Sequence, residues 1–198
     1  PRDHGLPGRL AGGLAGRSLV FAEGHLPAGG GHGIRDDLCA EAIRLARVLR
    51  TLMPDEPEVA GLLALMLLTD ARRPARLDAG GALVTLDAQD RTLWDREKIA
   101  EGHALVRECL QHDRPGHYQL LAAVNAVHTD AATASATDWG QVLALYDQLL
   151  AITPTPVVAL NRAVALAEVA GPEAALAVVD GLPLEAYHPF HATRADLL

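Results

Sequence analysis

Lysine is almost missing from this chain of 198 residues: Lys98 stands alone among 17 basic residues. Against 25 acidic residues the formal net charge is −8. Nucleic-acid affinity comes largely from clustered cations that release counterions. An acidic chain without a basic, aromatic-interleaved run is therefore not expected to contact nucleic acid directly. The one local cluster, Arg72, Arg73 and Arg76, reads as a solvated charge run. Serine is as scarce. Ser18 lies in a glycine-rich arm and Ser135 in an Ala/Thr loop, and neither has the strand–turn–helix context of a nucleophile elbow. The two cysteines, Cys39 and Cys109, sit on apolar faces of predicted helices and read as buried thiols. They form no disulfide framework. Long apolar runs are also lacking: the longest, 59–68, is half of what a bilayer span needs. The polar, glycine-rich start carries no signal-peptide pattern. A soluble chain in the reducing cytoplasm is expected.

Histidine is plentiful, with nine residues, yet no Cys/His quartet or HExxH pattern accompanies them. His188 and His191 are three apart, and His103, His112 and His117 fall in one region, but a ligand set needs a convergent third or fourth donor. The glycines of GGGHG lack the flanking strand and helix of a phosphate loop. The pair Asp36-Asp37 reads as a helix start. No catalytic, cofactor-binding or metal-ligating residue is predicted, and the chain is expected not to be an enzyme.

What the sequence does contain is helical periodicity. Residues 1–35, where ten of the 18 glycines cluster, are expected to form a flexible arm with a weak helix. From 36 to 198 a single helical domain is expected. Leu38, Ala42, Leu45, Leu49 and Leu52 recur at steps of four and three, which is one helix face, with Arg44, Arg47 and Arg50 on the other side. Asp55 with Glu58 is a candidate capping box for the next helix. The body of that helix, 59–68, is apolar all round and should be central. A small β-hairpin is predicted across 75–86, turning at Gly80-Gly81. Helices are then predicted at 92–111, 115–128 (opened by Pro115), 139–152, 157–170, 173–179 and 184–198, with short links that favour antiparallel neighbours.

Trp139, Val142, Leu143 and Tyr146 have the spacing of the first helix of a tetratricopeptide repeat, and Leu160, Val164 and Ala167 that of its second. The fold class expected is all-α: antiparallel helical hairpins stacked in a tetratricopeptide-like array, with the repeat-like part at 137–198. Some polar residues fall among apolar ones. Asn161 follows Val157 by four and precedes Val164 by three, so its amide is expected to face packed neighbours and need partners. Asn125 and His128 share a face with Leu121. These residues, with Asp70, Arg72, Gln119, Asp138 and Arg162, are read as interhelical hydrogen-bonding groups or as partner contacts.

A wider resemblance runs through DLCAEAIRLARVLRTLMPDEPEVAGLLALMLLTDARRPAR (37–76), DAQDRTLWDREKIAEG (87–102) and PGHYQLLAAVNAVHTDA (115–131). It continues in TDWGQVLALYDQLLAITPTPVVALNRAVALAEVAGP (137–172) and YHPFHATRADLL (187–198). Together these stretches resemble the long C-terminal extension of a subgroup of bacterial extracytoplasmic-function RNA polymerase sigma factors. The resemblance implies a helical, partly tetratricopeptide-like domain without chemistry of its own, which regulates transcription initiation. It implies contacts with sigma-factor domains, the polymerase core or a regulator protein. The two sigma domains have no counterpart in this chain, FAEGH (21–25) replaces a typical FNEGY, and the likeness stops at RADLL where the family usually adds about another helix. An alternative from a different class is a free-standing tetratricopeptide-like adaptor that binds a peptide or forms a homodimer.

Overall fold

The computed structural model describes Leu14 and residues 32–198, the side chains of 32–36 excepted. The arm expected at 1–35 thus lies almost wholly outside the described residues. Leu14 is helical and buried against the first helix pair. Eight helices follow: α1 (His32–Leu52), α2 (Pro57–Asp70), α3 (Arg96–Gln111), α4 (His117–Asp130), α5 (Trp139–Ile152), α6 (Pro156–Ala170), α7 (Pro172–Val179) and α8 (His188–Asp196). Three single 3-10 turns intervene, at Arg73–Ala75, Arg91–Leu93 and Ala134–Ala136.

Local chemistry explains the boundaries. Proline occupies the first turn of α2, α6, α7 and α8, where its missing N–H leaves nothing unsatisfied and its fixed φ suits a helix. Asp95, Asp138 and Thr155 accept backbone N–H bonds at the starts of α3, α5 and α6. Those bonds satisfy donors that a helix start leaves over. Gly171 closes α6 and opens α7 at φ 92°, a conformation glycine adopts without penalty. The segment expected as one helix over 92–111 is split, because Asp90 and Asp95 each fold back on the chain and restart it.

The apolar run 59–68 lies within α2, which buries all but Glu58, Leu65 and Thr69. It is the hub: α4, α3 and α1 all pack on it. Two glycines set how close the neighbours come. A Cβ on Gly61 would stand 2.6 Å from the Gln119 backbone nitrogen of α4, and one on Gly102 of α3 would stand 2.6 Å from Leu68 Cγ. Cys39, Ala42, Ile43 and Ala46 of α1 meet Val59, Leu62, Leu63 and Met66 of α2 in the largest core cluster. From α4 onward each helix packs on the next in chain order. Leu120, Leu149 and Val158 join α4, α5 and α6. Leu160, Ala163, Ala175, Val179 and Phe190 join α6, α7 and α8.

The β-hairpin expected across 75–86 does not form, and no strand occurs among the described residues. The chain does reverse there. Asp78 Oδ1 accepts from the Gly80 and Ala82 backbone N–H groups, and one isolated antiparallel bridge joins Leu77 to Leu83. The arms are too short, and Leu83 too exposed, to bury a face; a lone two-stranded ribbon is marginal without one. The capping box of Asp55 with Glu58 is also absent: Glu56 is the N-cap of α2 and makes no side-chain cap bond. The last helix is shorter than expected, because residues before His188 turn to place Leu182 and Leu184 against the α6–α7 cluster.

Candidate functional site

Glu58 does its work elsewhere. Its carboxylate accepts from the backbone N–H groups of Tyr118 (3.1 Å) and Gln119 (3.2 Å) at the start of α4, and from Gln119 Nε2 (3.1 Å). One anion thus satisfies free donors and complements the positive end of the α4 dipole. Gly116 makes room for it, since a Cβ there would overlap the Glu58 carboxylate. Gln119 is buried and completes its amide with the Arg114 carbonyl at 3.0 Å.

At the other end of α2 lies the densest set of polar side chains. Asp70 is buried and pairs with Arg73 and with Lys98 Nζ at 2.9 Å. Lys98 also reaches Asp95 at 3.1 Å. Arg72 donates from Nη2 to Asn125 Oδ1 of α4 at 2.8 Å, and Asn125 Nδ2 donates to the Leu121 carbonyl at 2.9 Å. Arg91 donates from Nη1 to the carbonyls of His128 (2.7 Å) and Ala131 (2.8 Å), capping the C-terminus of α4. Its guanidinium lies 4.5 Å from the centre of the Trp94 ring, a cation–π arrangement. His128 is 9% exposed and meets Trp139 of α5 edge-on, with ring centres 5.3 Å apart. Thr129, beside it, pairs with His103 at 2.8 Å.

Among the described residues, the ion pairs of this corner are those of Asp70 and Asp95 with Arg73 and Lys98. Burial, reinforced by Arg76 and Arg91, pulls the Arg72 guanidinium down to about 10. Burial, with Arg72 and Arg91 beside it, pulls the His128 imidazole down to about 4, so the ring is neutral at physiological pH. Arg72 Nε, His128 Nδ1 and Trp94 Nε1 are buried without a hydrogen-bond partner. The arginines of 72–76, expected to be solvated, are half-buried here because the Arg73–Ala75 turn folds them back over the end of α2.

The structure brings Asp70, Arg72, Asn125 and His128 into one corner and leaves the other expected residues apart. Gln119 belongs to the Glu58 contact. Asp138 caps α5 through the Gln141 N–H at 2.9 Å. Arg162 of α6 bonds Asp147 of α5 at 2.5 Å. Asn161 does not face packed neighbours: it is exposed, on a stripe with Val157 and Val164, each 38% exposed. The buried face of α6 is instead Val158, Leu160, Ala163 and Ala165, one residue round from the stripe expected.

Sequence reasoning missed Arg91, Trp94, Glu58 and Gly116 as members of these contacts. The ring and cation three apart at 91 and 94 were the available signal for the first two. Three of the histidines meet hydroxyls or carbonyls: besides His103, His117 Nδ1 lies 3.2 Å from Thr153 Oγ1 and His191 Nε2 lies 2.7 Å from the Glu185 carbonyl. Among the described residues no group of three or more His, Cys, Asp or Glu could hold a metal ion. Neither cysteine is in a disulfide. Cys109 donates to the Pro57 carbonyl at 3.5 Å, and burial pushes its thiol up to about 11. No helix of the described residues is long and apolar enough to cross a membrane.

Fold and site together define an all-helical protein organised around a buried hub helix, with a polar, arginine-rich corner at one end of that hub. Residues 13–110 match the model of DUF6596, a family of unknown function. The chain is also 48% identical over 182 residues to an uncharacterized protein of Rhizobium meliloti, a match covering 91% of this chain and 43% of the relative. The chain thus spans less than half the length of that relative. No solved structure matches it significantly.

Proposed function

We propose that this chain is a regulatory, protein-interacting domain of an extracytoplasmic-function RNA polymerase sigma factor, acting in transcription initiation in the cytoplasm. The observation that carries the reading is the ordered likeness to that extension from 37 to 198. A relative whose greater part lies outside the match supports it, since a domain of this kind then works within a longer chain. The partners are the sigma domains, the polymerase core or a regulator protein, and binding uses helix faces without catalysis.

The arrangement of the second half fits a tetratricopeptide-like array, in which each helix packs mainly on its neighbours in the chain. The pairing of α5 with α6, with Trp139 and Tyr146 among the side chains between α4, α5 and α6, supports this. The exposed stripe of Val157, Asn161 and Val164 supports docking, because partly apolar exposed helix faces suit partner contact.

The test is removal of the matching region from a full-length sigma relative, followed by promoter-specific transcription with reconstituted polymerase. A changed transcript level at an unchanged amount of sigma protein is expected. Unchanged transcription would end the sigma reading. An upstream coding region without a sigma domain would favour the free-standing adaptor instead.

A further inference from the structure

We propose that α1 is a detachable strap on the hub, latched to α3 by two arginine–carboxylate pairs and opening while α2, α3 and α4 stay folded. The latch is independent of the sigma reading. Among the described helices α1 packs closely on α2 alone, and it covers much less of α2 than α3 and α4 do. Two long side chains reach across from it to α3. Arg47 donates from Nε (3.0 Å) and Nη2 (2.6 Å) to the two carboxylate oxygens of Glu101. Arg50 donates from Nη2 to Glu108, two turns further along α3, and from Nη1 to the Pro54 carbonyl at 2.5 Å. One guanidinium thus clasps both α3 and the turn that ends α1.

The inner face of α1 is lined mostly by small residues. Cys39, Ala42, Ile43 and Ala46 are buried against Val59, Leu62, Leu63 and Met66, with Leu49 and Met53 partly buried beside them. Three of those four buried side chains are Cys or Ala, so a helix of 21 residues contributes little apolar area of its own to the contact. Its larger apolar residues lie outside. Leu38, Val48 and Leu52 are 39%, 44% and 72% exposed, and Leu38, Leu45 and Leu52 recur every seven residues. When α1 leaves, the cost comes mainly from the strip of α2 it uncovers, and α3 and α4 still cover the rest.

So lean a contact gives two ion pairs weight. Exposed pairs ordinarily contribute little; the exceptions are arginine forks of good geometry and pairs shielded from solvent. Arg47 is of the first kind, engaging both oxygens of one carboxylate. Arg50 is of the second, with its side chain 21% exposed. Both pairs join separate helices and must break when α1 departs. The pair of Arg44 with Glu41 lies wholly within α1 and survives. Salt screens charge pairs, so opening of α1 is salt-sensitive. It bares Val59, Leu62, Leu63 and Met66 with Leu105 and Tyr118 beside them, and the latch thereby governs access to the apolar face of the hub.

The test is amide hydrogen exchange on the intact chain in low and high sodium chloride, at about 0.05 M and about 0.5 M. In low salt α1 should exchange about tenfold faster than α2 or more. High salt should speed α1 by about fivefold and leave α2, α3 and α4 within about twofold. Replacing both carboxylates, Glu101→Gln with Glu108→Gln, keeps their shape at partly exposed positions and should leave the fold intact by circular dichroism. That variant should speed α1 by about tenfold in low salt and abolish its salt response. Arg47→Glu combined with Glu101→Arg should restore slower exchange that either change alone loses. Exchange of α1 in step with α2, a salt response absent from the unaltered chain, or one that survives in the double Gln variant overturns the proposal.

Discussion

Glu58 and Gly116 act as one unit, and their substitutions should show it. Removing the Glu58 carboxylate deprives two backbone donors and the Gln119 amide of a charged acceptor. Glu58→Ala should cost about 2–4 kcal/mol by urea unfolding, since each such bond contributes about 1.5 kcal/mol or more. Gly116→Ala should also destabilise, by about 1–3 kcal/mol, because its methyl group would overlap that carboxylate. The double variant should cost less than the sum, as the clash vanishes with the carboxylate; strict additivity would show that the two do not meet. His128 carries a pH-dependent term. Its folded pKa of about 4 lies below the ordinary value of 6.5, so the unfolded chain takes up a proton first as pH falls. The stability it contributes is fully present above about pH 6.5 and declines toward pH 4. The loss at pH 4.5 should be about 2–3 kcal/mol. His128→Gln should flatten the wild-type difference between pH 7 and pH 4.5 by that amount; an unchanged difference would place the titration elsewhere.

Between the residue and the molecule stand the helix starts and turns, and here legibility divided sharply. Helices longer than three turns showed in the sequence because apolar residues repeat on one face, and 59–68 betrayed its burial by having no polar face at all. The predicted bounds of α5, α6 and α7 fall within a residue of those observed, whereas Pro115, read as opening α4, precedes a helix that starts at His117 behind Gly116. The other failures involve partners distant in sequence. Glu58 looked like a cap for its own helix and serves α4 instead, a contact no local pattern encodes. Asn161 was misplaced because α6 carries valines on two adjacent stripes, and only the packing of α5 and α7 decides which is covered. Arg72 and Arg91 reach the same end of α4, at Asn125 and at the His128 carbonyl, only because the chain restarts at Asp90 and Asp95, so spacing alone could not bring them there. Local starts still carry measurable weight. Asp138→Ala should destabilise by about 1 kcal/mol, the usual loss of an N-cap, and Asp138→Asn should restore most of it. Gly171→Ala should cost about 1–2 kcal/mol through backbone conformation alone, since no atom lies within contact of an added Cβ.

At the scale of the whole molecule, the two halves differ in how they are held. The first half surrounds α2, which is enclosed by α1, α3 and α4, and its core joins residues far apart in the chain. The second half is sequential: α5 to α8 each lean on their neighbours, and α8 buries only Phe190. A hub should open only with global unfolding, whereas an element at the end of a sequential stack can detach alone. Amide hydrogen exchange on the intact chain should therefore be slowest in α2, intermediate in α5 and α6, and fastest in α8. The same gradient favours a function carried by docking on the second half, because a helix that opens at small cost can rearrange around a partner without disturbing the hub. Phe190→Ala sharpens the test. Truncation there should speed exchange in α7 and α8 by tenfold or more while leaving α2 within about twofold, because the loss stays local when contacts are between neighbours. Uniform acceleration across all helices would instead show a single cooperative core, and with it the stacked, repeat-like organisation of 137–198 would fail.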